Sequence, residues 1–79
     1  MSTVKLKKPI RYYTAKKKQL EPLHLIHVGE PIHLCDLMMM RLDEQDVRAV
    51  SISLHHYTFY VLYDDLDAHA KKMISSGAL

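Results

Sequence analysis

Between Val50 and Tyr63 the chain alternates. Val50, Ile52 and Leu54 are separated by Ser51 and Ser53, and Tyr57, Phe59, Val61 and Tyr63 by Thr58, Tyr60 and Leu62. A period of two sends successive side chains to opposite faces of an extended backbone, and the β-branched and aromatic content suits a pleated surface. The pattern predicts two strands paired antiparallel around a turn at His55 and His56. Neither Gly, Asn nor Asp stands there to take a positive φ cheaply, so the turn relies on histidine, which tolerates left-handed geometry better than most residues.

The spacing changes on either side. Asp64, Asp65 and Asp67 precede Leu66, Ala70, Met73 and Ile74, with Lys71 and Lys72 near the end and Gly77 beyond. Carboxylates at the head and cations at the tail both oppose the backbone dipole, and the pattern predicts a helix from about Asp65 to Ser76. A second helix is predicted from Pro31 through Leu34, Leu37, Met38 and Leu42, ending near Asp43 to Asp46, because proline suits the first helical position. Met38, Met39 and Met40 make that segment apolar on most sides, as expected of a helix that is buried or shared with a partner.

Upstream, Leu23 to Val28 and Ile10 to Thr14 have strand length, with the lysine cluster and Glu21-Pro22 in their connection. The predicted order is β-β-α-β-β-α, an α+β fold with a small, mostly antiparallel sheet covered by two helices on one face. The two halves share almost no residues, so any repeat is architectural only.

Seventy-nine residues make a single domain, 1–79, with 1–9 as a candidate flexible basic arm. A chain this short buries only about 60–65% of the surface its unfolded form exposes. With no disulfide to help, packing or a second subunit must supply the support, and a homodimer or a tight protein complex is expected. Cys35 is the only cysteine, which suits a reducing, cytoplasmic setting. The basic start is not followed by an export-type apolar run, and the longest apolar tract, Leu34 to Leu42, is far shorter than the roughly 20 residues a membrane helix needs. A membrane partner is therefore not expected.

Charge divides the chain sharply. Lys5, Lys7, Lys8, Arg11, Lys16, Lys17 and Lys18 give the first eighteen residues +7 with no carboxylate, whereas the remainder sums to −5. Such a division suits contact with a polyanion or an acidic partner. Arg11, Tyr12, Tyr13, Lys16, Lys17 and Lys18 combine cations with rings and are the candidate nucleic-acid contacts, the lysines for phosphates and the tyrosines for unpaired bases. Lysines on a turn or an edge strand also serve simply to solvate it and to keep sheets from joining.

The remaining polar groups point less far. His24 and His27 are three apart and His33 and Cys35 two apart, which is the wrong spacing for a shared ligand face on the predicted strand and helix respectively. The Asp64, Asp65 and Asp67 cluster is explained by helix capping without a cation, and His55 with His56 by the turn, although adjacent imidazoles also offer pH sensitivity. Cys35 with His33 and Asp36, or Ser51 and Ser53 with His55, form no recognisable nucleophilic triad, and two glycines cannot build a phosphate cradle. The chain therefore reads as a non-enzymatic interaction or regulatory protein, with no cofactor, metal or small-molecule substrate expected. Leu37, Met38, Met39 and Leu42 are its candidate partner-binding residues, and nucleic-acid binding through the basic segment is the alternative.

Overall fold

The computed structural model describes residues 2–77. Its elements are β1 (Ser2–Lys5), β2 (Ile10–Lys16), β3 (Gln19–Ile26), β4 (Pro31–Leu42), β5 (Gln45–Leu54), β6 (Tyr57–Leu62), a 3₁₀ turn (Tyr63–Asp65) and α1 (Ala68–Ser75). The fold is therefore mostly β, with one α-helix. This corrects the expected two-helix α+β arrangement and its β-β-α-β-β-α order. The segment expected to be the first helix is β4, a twelve-residue strand.

Strand order in the single mixed sheet is β1-β4-β3-β2-β6-β5, and a further β4–β5 pairing returns to β4, so five strands form a closed ring with β1 added outside. Two seams are narrow: β2 meets β6 at Tyr13–Tyr60, and β3 meets β4, in parallel, at Gln19–Arg41. From Asp46 the pairings lead to Arg41, Gln19 and Lys16. Extending the Tyr13–Tyr60 pair along both strands reaches Tyr57 and then Leu54, eight residues from the start. A stagger of this kind tilts the strands enough to close so small a sheet.

Three two-residue hairpins join the strands, and both central residues of each have positive φ: Lys17 and Lys18, Asp43 and Glu44, His55 and His56. Paired positive φ marks the turn whose twist matches the flanking strands, and here it is built without glycine. The β5–β6 hairpin turns at His55 and His56 as the alternation predicts, with Leu54 facing Tyr57. Glu21 and Pro22 lie inside β3 rather than in a connection. Pro22 sits opposite Tyr13, where the β2–β3 register slips and a missing donor is tolerated.

Alternation on β5 and β6 supplies two apolar clusters on opposite faces of that ribbon. Val50, Ile52, Leu54 and Val61 join Val4, Leu6, Ile10, Ile26, Ile32 and Leu34 in the larger one, which α1 covers with Leu66, Ala70 and Ile74. Ala49 joins Tyr13, Leu20 and Met40 in the smaller, flanked by Met38, Leu42, Tyr60 and Leu62. The helix begins later than its pattern predicts. Asp64 and Asp65 belong to the 3₁₀ turn, and Asp67 is the cap, its carboxylate accepting the Ala70 N–H at 2.9 Å. Among the described residues no helix is long and apolar enough to cross a membrane.

Candidate partner-binding edge

A β-bulge organises β4. Leu34 pairs with Ile52 and Leu37 with Val50, so three steps on β4 match two on β5. The extra residue reverses the facing of every position that follows. Ile32 and Leu34 enter the larger cluster, whereas Met38, Met40 and Leu42 pack with the smaller one. Leu37 and Met39 are left outside, 43% and 56% exposed. The four candidate partner-binding residues thus divide into an exposed pair, Leu37 and Met39, and a half-buried pair, Met38 and Leu42.

The backbone at the same place is open. On its side away from β5, β4 is covered by β1 up to Leu34, opposite Ser2, and by the β2–β3 hairpin at Arg41, whose N–H donates to the Lys18 carbonyl at 2.9 Å. Between those points, Cys35 to Met40 has a strand neighbour only in β5 among the described residues. Peptide groups of a strand alternate in direction, so the N–H and C=O of Leu37 and Met39 point the same way as those of Arg41, into the opening. Asp36 points the other way, its N–H donating to Ser51 Oγ at 2.9 Å.

Charges lie at both ends of this opening. At the hairpin end stand Lys17 and Lys18, exposed and without an ion-pair partner among the described residues. At the β1 end stands exposed Asp36. Across the sheet Met39 faces Arg48, which is held locally, its guanidinium 4.3 Å from the Tyr63 ring centre and 3.2 Å from Asp64 Oδ1. Arg41 is likewise engaged, with Asp46 at 3.2 Å and the Glu44 carbonyl at 2.8 Å.

The basic N-terminal block does not form one patch. All seven cations are exposed and none pairs with a carboxylate among the described residues. Lys5, Lys7 and Lys8 lie before β2, however, and Lys16, Lys17 and Lys18 at its far end, roughly 20 Å away for an extended strand of this length. Arg11 stands between them and donates to the Leu23 carbonyl at 2.8 Å. Tyr13 is 7% exposed, and its hydroxyl is raised above the ordinary tyrosine value, first by burial and then by Asp65 and Asp43, with Arg11 opposing. The half-buried Tyr12 ring packs edge-on against Phe59 at 5.0 Å. The aromatic ring that does face solvent is Tyr57, 70% exposed and 6.4 Å from Phe59.

An open cleft of about 450 Å³ lies at the β5–β6 turn, lined by His33, His55, His56, Glu30, Ser53 and Leu54 among others. His55 Nε2 is 3.0 Å from Glu30 Oε1, and His33 Nδ1 is 2.7 Å from Thr3 Oγ1. No three His, Cys, Asp or Glu side chains among the described residues are gathered as metal ligands. His24 sits on β3 and His27 beyond its end, while Cys35 is half-buried at the bulge.

The methionine run is legible in the sequence, but the feature that makes it available, a backbone uncovered among the described residues, has no side-chain signature. Comparison with protein-family models, curated proteins and solved structures gives no match.

Proposed function

We propose that this is a non-enzymatic interaction protein that takes up an extended segment of a partner protein as an added strand along β4. The observation that carries the reading is the coincidence of Leu37 and Met39 side chains in solvent with peptide groups of the same residues aimed away from β5. An open edge supplies main-chain hydrogen bonds to any extended chain, and side chains at alternate positions select which one binds. The lysines, without an ion-pair partner among the described residues, support a role in attracting an acidic partner. The lone cysteine fits a reducing, cytoplasmic setting.

Nucleic-acid binding draws less support, because the cations separate to two ends of β2 and the Tyr13 ring is buried. Amide exchange with peptide selection tests the reading. The Leu37 and Met39 amides should exchange much faster than those of Met38 and Met40. Peptides selected from a random display library should shift resonances between Leu37 and Arg41, and Met39→Pro, which removes one outward N–H, should abolish their binding. Equal protection along β4, or selected peptides that leave those resonances unmoved, would refute it.

A further inference from the structure

We infer, resting on the edge reading above, that the segment received by β4 is a carboxyl-terminal one, running parallel to β4 with its terminal carboxylate at Lys17 and Lys18. The opening is closed at both ends. Ser2 occupies the position beside Leu34, and the β2–β3 hairpin the position beside Arg41, which among the described residues leaves the stretch from Cys35 to Met40 without a neighbour on that side. At about 3.3 Å per residue, only about five residues of an added strand fit before it meets the hairpin. A chain that continued in line would collide there with Lys18, so the segment must either turn sharply away or end.

Electrostatics chooses between these and sets the direction. The hairpin end carries the ammonium groups of Lys16, Lys17 and Lys18, all exposed and unpaired among the described residues, three cations against the two exposed carboxylates of Asp43 and Glu44 at the adjoining β4–β5 turn. The opposite end carries Asp36. A segment parallel to β4 brings its carboxyl end to the lysines, whereas an antiparallel one brings its amino end there. A terminal carboxylate gains from this placement in a way that an internal peptide group cannot, since charged acceptors form the stronger hydrogen bonds. The positive φ of Lys17 and Lys18 holds the turn in a tight two-residue form, and the bond from the Arg41 N–H to the Lys18 carbonyl sets that turn at the end of the opening. Alternate residues of the segment would lie beside Leu37 and Met39, favouring apolar side chains at every second position.

The test uses the full chain and two six-residue peptides of alternating serine and valine, labelled at the amino end, one with a free carboxylate and one with a carboxamide. Fluorescence anisotropy at low ionic strength should show the free acid binding at least fivefold more tightly. That ratio should approach one in the Lys17→Gln, Lys18→Gln double variant and in 0.5 M salt, and Met39→Pro should abolish binding of both peptides. Equal affinity of acid and amide, both lost in Met39→Pro, would overturn the carboxylate assignment while leaving the edge reading standing. Binding of both unaffected by Met39→Pro would overturn the two together. Should neither peptide bind, selection from libraries displayed with a free carboxyl end and with both ends embedded decides: enrichment only with the free end supports the inference, and enrichment only with embedded ends overturns it.

Discussion

Ser51 Oγ accepts the Asp36 backbone N–H at 2.9 Å and lies 3.4 Å from the Asp36 carbonyl, closing the bulge from the opposite strand. Ser51 is the one buried polar residue of the described core, 5% exposed between Val50 and Ile52. Its hydroxyl satisfies the peptide group that the bulge takes out of the β4–β5 ladder, and the bulge in turn leaves Leu37 and Met39 outside.

Ser51→Ala should therefore destabilise the protein by about 1 kcal/mol, the net worth of a hydrogen bond at a part-buried site. Urea denaturation measures it. Exchange at the Asp36 amide should quicken in the same variant, and an unchanged midpoint would show that the bulge stands without the hydroxyl.

Replacing His55-His56 by Asn-Gly should stabilise the fold by about 1 kcal/mol, because Asn and Gly take positive φ at less cost than histidine. The lost His55–Glu30 contact is exposed and contributes little. Thermal denaturation should show a higher midpoint; a lower one would mean that the histidine cleft contributes more to stability than the turn strain costs.

Tyr13 should ionise above the ordinary tyrosine value, since burial and then Asp65 oppose its phenolate. The folded value lies above the unfolded one, so this contribution to stability is complete below the ordinary value of about 10 and is lost as pH rises through the raised value. Ultraviolet titration of the wild type against Tyr13→Phe identifies the group. Loss of an early-titrating tyrosine in that variant would contradict the assignment.

Single-stranded oligonucleotides should bind no more tightly than about 100 µM near physiological salt, the weak end of nonspecific association. Anisotropy titration at two salt concentrations checks this. Micromolar affinity with a log–log salt slope of about −3 or steeper, reduced by charge removal at Lys16, Lys17 and Lys18, would favour a nucleic-acid role instead.

Where the alternation was unbroken, the sequence was readable. Val50 to Leu62 shows its period of two because β5 and β6 pair regularly, and the residues at 55 and 56 are the turn. The C-terminal helix was legible too, apart from its first turn, because Asp67 alone caps it while Asp64 and Asp65 belong to the preceding 3₁₀ turn. Pro31 to Leu42 has a helical pattern yet forms a strand, for a specific reason. Its bulge stretches the spacing of same-face residues from two to three, so that Leu34, Leu37 and Met38 imitate a helical repeat. Leucine and methionine, which favour helices, strengthened the imitation.

By itself the sequence determined local matters: the alternation from Val50 to Leu62, the turn at His55 and His56, the presence of a C-terminal helix, and the gathering of seven cations ahead of every carboxylate. Each of these depends on side chains a few residues apart. Only the tertiary structure decided that β4 is a strand, that the lysines divide between two ends of β2, and that among the described residues the backbone of Leu37 and Met39 lies uncovered between β1 and the Lys17–Lys18 turn. Those depend on which distant strands pair and where pairing stops, and hydrogen bonds between main-chain groups leave little trace in side-chain identity.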